Sequence, residues 1–308
     1  MRKLILVTGI TGQLGHDVMT ELNRRGHEAV GTARSIPEGW QDASGRSFVK
    51  LDLTDEKAVR ECIASYRPDV IIHCAAWTAV DAAEDEENRE AVYAANVLAT
   101  KYLAEAAKAV DAKMLYLSTD YVFDGQGTRP WKPDDRCFAP LNYYGQTKLE
   151  GEQAVSSILE KFFIVRIAWV FGLNGKNFIK TMVNVGKTHD AVRVVSDQIG
   201  TPTYTKDLAR LLVDMVETDR YGYYHATNSE EAPRAFISWA DLAEEAYRAA
   251  GMNTKVVRVS TEEYGLSKAV RPFNSRLDKR KLTEAGFTPL PPWKDAVRRY
   301  IDEAGLKV

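Results

Sequence analysis

The sequence predicts an α/β fold: a Rossmann-type doubly wound parallel sheet with a smaller α/β substrate-binding domain. Three observations lead there. Short apolar runs alternate with helix-like segments through the first half of the chain. The runs are apolar on both sides rather than alternating, as strands covered by helices on both faces must be. A glycine-rich turn follows the first run. The length of 308 residues adds a second lobe, because single cores seldom grow beyond ~250–300 residues.

Strands are expected at residues 4–7, 28–32, 70–73, 114–118 and 163–168, separated by helices. The helix predicted over residues 88–110 carries Val92, Ala95, Ala99, Leu103 and Ala106 at helical spacing, with Asn96 on the same inward face. The acidic run 81–90 before it reads as a solvated helix entry. Beyond residue 170 the rhythm breaks into a loop at 172–177, a helix from about 178, and a stretch over 192–204 containing Gly200-Thr201-Pro202. A helix over 206–216 and a late strand at 222–226 return the chain to the first lobe. The expected division is a dinucleotide-binding domain of residues 1–170 and 204–227, and a substrate-binding domain of residues 171–203 and 228–308.

The charges nearly cancel, 41 Lys+Arg against 43 Asp+Glu. No overall field draws the chain to nucleic acid or to an anionic membrane, so a small molecule is the expected partner. Cys62, Cys74 and Cys137 lie far apart, without the short spacings of a zinc site or a disulfide framework, which points to a reducing, cytoplasmic compartment. The first apolar run is too short for a signal peptide, and no run approaches the ~18 apolar residues of a membrane span.

Thr8-Gly9-Ile10-Thr11-Gly12-Gln13-Leu14-Gly15 follows the first strand and opens a helix. Gly9, Gly12 and Gly15 there allow a tight turn, close approach of a pyrophosphate and tight helix–strand packing, with Thr11, Gln13 and Leu14 lining the helix N-terminus. A plain glycine-rich turn is the bland alternative. A carboxylate at the end of the second strand would accept the ribose hydroxyls of NAD, but the stretch reads Gly31-Thr32-Ala33-Arg34-Ser35. A guanidinium beside a hydroxyl suits a 2′-phosphate, so NADPH is favoured with NADH possible, unless Arg34 is merely an exposed loop cation. Asp52, in Leu51-Asp52-Leu53, closes the next strand and is placed to meet the adenine amine.

Tyr144-Gly145-Gln146-Thr147-Lys148 falls on a helix begun after Pro140 and capped by Asn142. Positions four apart share a face, which sets the Lys148 ammonium beside the Tyr144 phenol and is expected to lower its pKa from the reference near ~10. Tyr144 then serves as a proton donor to a carbonyl; Tyr143 lacks the spacing. Alone the pair is an ordinary surface feature. It gains force from Ser118-Thr119-Asp120 at the preceding strand end and from the buried Asn96, which equally suits a satisfied core amide.

On these residues the chain resembles the extended short-chain dehydrogenases/reductases and, among them, the dTDP-4-dehydrorhamnose reductases. The likeness runs nearly end to end. It includes His73-Cys74-Ala75-Ala76-Trp77-Thr78-Ala79-Val80-Asp81, Ser118 to Gly125, Arg166 to Gly172, Asp197-Gln198-Ile199-Gly200-Thr201-Pro202-Thr203 and Arg271-Pro272-Phe273-Asn274-Ser275. The resemblance implies Thr119, Tyr144 and Lys148 as catalytic residues, with Asn96 in support, and Cys74, Ala75, Ala76 and Leu53 beside the cofactor. It also implies Thr78, Val80, Thr119, Tyr121 and Trp169 beside a dTDP-sugar whose C4 ketone is reduced. Dehydratases of the superfamily carry an Asp-Glu pair after the strand threonine, whereas here Asp120 precedes Tyr121.

Two alternatives stand beside this reading. One is a non-catalytic, NADP-binding regulatory subunit like the β subunit of methionine adenosyltransferase, in which the stretches matching Ala168-Trp169-Val170 and Asp197 to Gly200 are altered. The other is a different nucleotide keto-sugar reductase or epimerase. Some members of the resembled family form a dimer bridged by magnesium on three glutamates, which align here with Asp17, Lys206 and Glu303. An ammonium at the second position offers no lone pair. The expectation is therefore no metal, a monomer or metal-independent homodimer, and three unrelated surface charges.

Overall fold

The computed structural model describes residues 3–35, 48–230 and 236–308. Its elements, in order, are β1 (Leu4–Thr8), α1 (Gln13–Arg24), β2 (Glu28–Ala33), β3 (Phe48–Lys50), α2 (Glu56–Tyr66) and β4 (Val70–His73). Then come α3 (Arg89–Tyr93), a π-turn (Ala94–Leu98), α4 (Ala99–Ala109), β5 (Lys113–Thr119), α5 (Tyr143–Ile158), β6 (Phe162–Ile167) and β7 (Val170–Phe171). The remainder is α6 (Phe178–Gly186), β8 (Ala191–Val195), β9 (Ile199–Gly200), β10 (Thr203–Tyr204), α7 (Thr205–Val216), β11 (Gly222–His225), β12 (Ile237–Ser238), α8 (Trp239–Ala250), β13 (Lys255–Val259), α9 (Thr261–Tyr264), α10 (Arg280–Glu284) and α11 (Trp293–Glu303).

Seven of these strands pair in parallel in the order β3-β2-β1-β4-β5-β6-β11. The apolar runs read from the sequence are its centre, with every residue of β4 and β5 buried. One face packs against α1 and α7 through Val18, Leu22, Leu208, Leu212 and Met215. The other packs against α2, α4 and α5 through Val59, Ile63, Leu103, Ala107 and Val155. The winding reverses between β1 and β4, so the chain leaves their carboxyl ends in opposite directions and opens a crevice there, the usual ligand position in such sheets.

The later segments form small two-stranded ladders, β7 with β10, β9 with β12 and β8 with β13, packed with α6, α8 and α11 around Phe171, Tyr204, Leu242, Trp293 and Tyr300. The sequence reading does not resolve these pairs. The two-residue strands β7, β9, β10 and β12 bury too little to leave an apolar run, and the five-residue β8 and β13 are only partly buried and are interrupted by Arg193, Lys255 and Arg258. Leu282, Phe287 and Leu290 turn back into the core beside α7.

The structure corrects two details. Residues 88–110 are not one regular helix, since the π-turn interrupts it at Asn96. Asp17, Lys206 and Glu303 are not unrelated surface charges. Asp17 is buried and accepts a 2.5 Å hydrogen bond from the Thr205 hydroxyl, while Glu303 accepts from Lys206 Nζ and from Tyr204 OH, both at 2.8 Å. Consecutive residues at the start of α7 thus tie the two acids to one another's neighbourhood.

Candidate active site

The glycine turn lies at the winding reversal. Gly9 has φ +69, which glycine adopts without strain, and its amide donates to the Thr32 carbonyl at 2.9 Å. A Cβ on Gly9 would fall 2.7 Å from the Ala75 Cα, and one on Gly15 would fall 2.3 Å from the Gly9 carbonyl oxygen. Bare backbone from β1, α1 and the end of β4 therefore meets in a cradle that no side chain can enter. The residue capping α1, Gly12, supplies no side-chain acceptor, so the first-turn amides remain available to an anion. That cradle fits the pyrophosphate of a dinucleotide.

Asn174 and Asn177 hold the turn from the far side. Asn174 Nδ2 donates to the Thr11 carbonyl at 2.9 Å and Asn177 Nδ2 to Gln13 Oε1 at 3.1 Å. Sequence reading misses both, because they sit in the loop before α6 without a motif. Arg34 and Ser35 follow β2 and are exposed. Two residues past β3, Asp52 accepts from the Thr54 amide at 3.0 Å and its hydroxyl at 2.7 Å, and these bonds, with the Arg34 charge, hold its carboxyl below the ordinary value. Leu53 is partly buried against the core.

His73 organises the polar interior behind the turn. The Ala75 amide donates to Thr8 Oγ1 at 3.2 Å, and Thr8 Oγ1 lies 2.7 Å from His73 Nδ1. On the other side His73 Nε2 lies 3.2 Å from Thr100 Oγ1, whose proton goes to the Asn96 carbonyl at 2.7 Å. With the Thr100 proton spent, Nε2 must donate and Nδ1 must accept, which assigns the neutral tautomer. Burial pushes the ring down to about 3, in agreement.

The π-turn presents both ends of Asn96. Its Oδ1 accepts from the Trp77 amide at 2.8 Å, while Nδ2 donates to the Trp77 carbonyl at 3.3 Å and to Thr147 Oγ1 at 3.0 Å. Thr147 in turn donates to the Tyr144 carbonyl at 3.0 Å. The amide is fully satisfied, and it locks α5 to the loop carrying Cys74, Ala75, Ala76, Thr78 and Val80. π-turns recur at functional sites for such re-aiming.

Asn142 caps α5 by accepting from the Gly145 amide at 2.8 Å, as the sequence predicts. A Cβ on Gly145 would lie 2.4 Å from the Tyr121 carbonyl, so glycine lets α5 close onto the end of β5. Thr119, Tyr121, Tyr144 and Lys148 converge there. The Tyr121 and Tyr144 rings meet edge to face at 5.6 Å, and the Thr119 hydroxyl hydrogen-bonds the phenol of Tyr144.

The expected electrostatic pairing needs correction. Lys148 Nζ donates to the Leu117 carbonyl at 2.7 Å and lies 4.1 Å from the centre of the Tyr116 ring. The Tyr144 phenol is raised, not lowered, chiefly by burial; its bond to Thr119 opposes the shift and Asp120 and Tyr121 reinforce it. Burial pulls Lys148 down to about 7 against the attraction of Glu152, and lifts the neighbouring Cys74 thiol to about 12. The ammonium has turned to a carbonyl and an aromatic face, the acceptors nearest to it.

Tyr121 OH accepts from Arg271 at 3.2 Å, and Arg271 also binds Asp81 at 2.6 Å, which fastens the segment carrying Arg271 to the loop after β4 and to the end of β5. Trp169 stacks on Trp239 with centroids 4.0 Å apart and holds φ at +51. A bulky residue in the left-handed region is strained, and such strain gathers at binding sites. Trp239 is a further site neighbour that the motifs do not mark.

Comparison with known proteins agrees with this geometry. The family model described as "RmlD substrate binding domain" matches residues 1–306. A dTDP-4-dehydrorhamnose reductase of Streptomyces griseus is 40% identical over 298 residues, covering 95% of this chain and 91% of its own. A dTDP-4-keto-6-deoxy-D-glucose reductase of Streptomyces niveus is 36% identical over 95% and 94% of the two chains. Among solved structures, a dTDP-4-dehydrorhamnose reductase of Bacillus anthracis in complex with NADP superposes with TM-score 0.87 at 36% identity, covering 98% and 100% of the two chains.

Proposed function

This chain belongs to the RmlD substrate binding domain family, and from that premise we propose that it reduces the C4 ketone of dTDP-4-dehydro-L-rhamnose to dTDP-L-rhamnose with NADPH. The observation that carries the reading is the convergence of Thr119, Tyr144 and Lys148 at the end of β5, beside the glycine cradle at the winding reversal. NADPH supplies the hydride. Gly9, Thr11, Gly12, Gln13 and Gly15 take its pyrophosphate, Arg34 and Ser35 its 2′-phosphate, and Asp52 with Cys74 to Ala76 flank the rest.

Tyr144 donates its phenolic proton to the ketone oxygen as the carbon accepts hydride. Its raised pKa, set by burial, keeps that proton in place until negative charge develops on the oxygen. Thr119 holds the same oxygen by hydrogen bond, and Lys148, one turn further along α5, leaves the Leu117 carbonyl to bring positive charge to the phenolate that remains. Asn96 keeps α5 in register. Thr78, Val80, Tyr121 and Trp169 line the sugar side. In this reading residues 1–170 and 204–227 form the dinucleotide lobe, and residues 171–203 and 228–308 the sugar lobe. We place the reaction in the cytoplasm; among the described residues no helix is long and apolar enough to cross a membrane.

The decisive experiment follows NADPH oxidation by absorbance after addition of the dTDP-keto sugar. Tyr144→Phe should bind NADPH normally and lose on the order of 10²–10⁴-fold in kcat, the scale of a general acid. Undiminished turnover in that variant would remove Tyr144 from its role, and a wild type that binds NADP without turnover would favour the regulatory-subunit reading. Because a similar protein is named for a dTDP-4-keto-6-deoxy-D-glucose substrate, that sugar belongs in the same assay.

A further inference from the structure

We infer that Asp120 is a positioning residue whose protonation state decides whether the Thr119 hydroxyl points at the reacting oxygen or away from it. The inference rests on the reductase reading above and deepens it. Asp120 lies at the carboxyl end of β5, 1% exposed, and its Oδ2 meets no hydrogen-bond donor. A bare carboxylate oxygen in so dry a place favours the neutral acid. Burial lifts this carboxyl to about 6, with the hydroxyls of Ser275 and Thr119 opposing the shift.

The consequence follows from counting protons on Thr119. Its Oγ1 carries one proton and two lone pairs. The Tyr121 amide donates to one lone pair at 3.3 Å. Oγ1 lies 3.1 Å from Asp120 Oδ1 and also faces the Tyr144 phenol, so two acceptors compete for a single proton. An ionised Asp120 can only accept, and as a charged acceptor it takes the Thr119 proton. A neutral Asp120 donates into the second lone pair of Oγ1. The Thr119 proton is then free for the phenol or for the ketone oxygen placed beside it.

Among the described residues the titratable groups facing the carboxyl are Tyr121 on its own turn and Tyr144 from α5, and the non-titrating Ser275 hydroxyl approaches from the C-terminal segment. The Arg271 guanidinium is engaged by Tyr121 and Asp81. The one covalent change in the switch is the O–H bond of Asp120, whose proton passes to water on ionisation and returns on protonation. One proton exchanges between Asp120 and solvent, and the hydroxyl turns.

The test is the pH profile of kcat with NADPH and the dTDP-keto sugar. Wild-type kcat should fall about tenfold per pH unit above about 6, as for loss of one essential proton. Asp120→Asn places an amide where the neutral acid stood and donates to Thr119 at every pH. Its kcat should lack the limb near 6, with KM for the sugar unchanged. The limb set by Lys148, near 7, should remain in both proteins. Thr119→Val removes the hydroxyl being steered, so its residual rate should lack the limb near 6 and should not respond to Asp120→Asn. NADPH binding by fluorescence checks that each variant is folded; were Asp120→Asn not to fold, Thr119→Val alone decides. An Asp120→Asn profile superimposed on wild type, or a limb near 6 that survives Thr119→Val, overturns the inference while leaving the reductase reading intact. A wild type that turns over no keto sugar overturns both.

Discussion

Replacing Glu152 with glutamine tests how the catalytic helix is anchored, since it keeps the shape of the side chain and removes its charge. Glu152 and Arg166 are 1% and 0% exposed and meet through two bonds, Nε to Oε1 at 2.8 Å and Nη2 to Oε2 at 2.7 Å. Arginine stays protonated in proteins, so the substitution leaves a full positive charge in a dry site. Breaking a buried pair from one side costs ~3–5 kcal/mol. Arg166 keeps the Pro133 carbonyl at 3.1 Å, His225 Nε2 at 3.3 Å and the rings of Phe123, Phe138 and Tyr223, which places the loss at the lower end, about 3 kcal/mol. At roughly 2 °C per kcal/mol for a chain of this size, Tm should drop by about 6 °C. Urea melts at pH 7 give the same quantity as a shifted midpoint at constant slope. Adding Arg166→Met to Glu152→Gln should restore most of the stability, because an apolar replacement needs no counter-charge. A loss below ~1 kcal/mol, or a double variant no better than the single, would show that the pair is not what anchors α5 to β6.

Three further outcomes are expected. Arg34→Ala should raise KM for NADPH and leave KM for NADH nearly unchanged, since only the phosphorylated cofactor loses a partner; equal losses would make Arg34 structural. The Lys148 ammonium titrates near 7 in the folded chain, against 10.5 unfolded, so between those values the unfolded state binds the extra proton. Wild-type stability should therefore rise relative to Lys148→Met as pH goes from 7 to about 9.5, by up to ~1.4 kcal/mol per unit, and a flat difference would place the folded pKa elsewhere. Finally, sedimentation and activity should be unaffected by excess chelator or by magnesium, because Lys206 already occupies Glu303 at 2.8 Å; a dimer that dissociates on chelation would reverse that reading.

The centre of the sheet was legible because β1, β4, β5 and β6 are buried on both faces and declare themselves as apolar runs; residues 70–73 match β4 end for end. The glycine turn and the spacing of Tyr144 and Lys148 were legible because backbone geometry fixes them. Hydrogen-bond direction was not. Spacing placed the Lys148 ammonium beside the phenol, but only the fold shows the Leu117 carbonyl that draws it aside. Asn174, Asn177 and Trp239 reach the site from loops and helices distant in sequence, where no periodicity reports them. The pairing of Arg166 with Glu152 was equally silent, since a charged residue inside an apolar run gives no hint of its partner.

The π-turn at residues 94–98 has a consequence for how this gene can change. A π-turn is an α-helix carrying one residue too many, so excising any single residue there would yield a regular and intrinsically better helix. The gain in local regularity would be lost at once. All of α3 would rotate by about 100° relative to α4, and Asn96 would swing its amide away from Trp77 and Thr147. Deletions that a surface helix absorbs as a slip of register would here disconnect the loop after β4 from the helix that carries Tyr144. The length of this helix is therefore held as tightly as the identity of any residue in it.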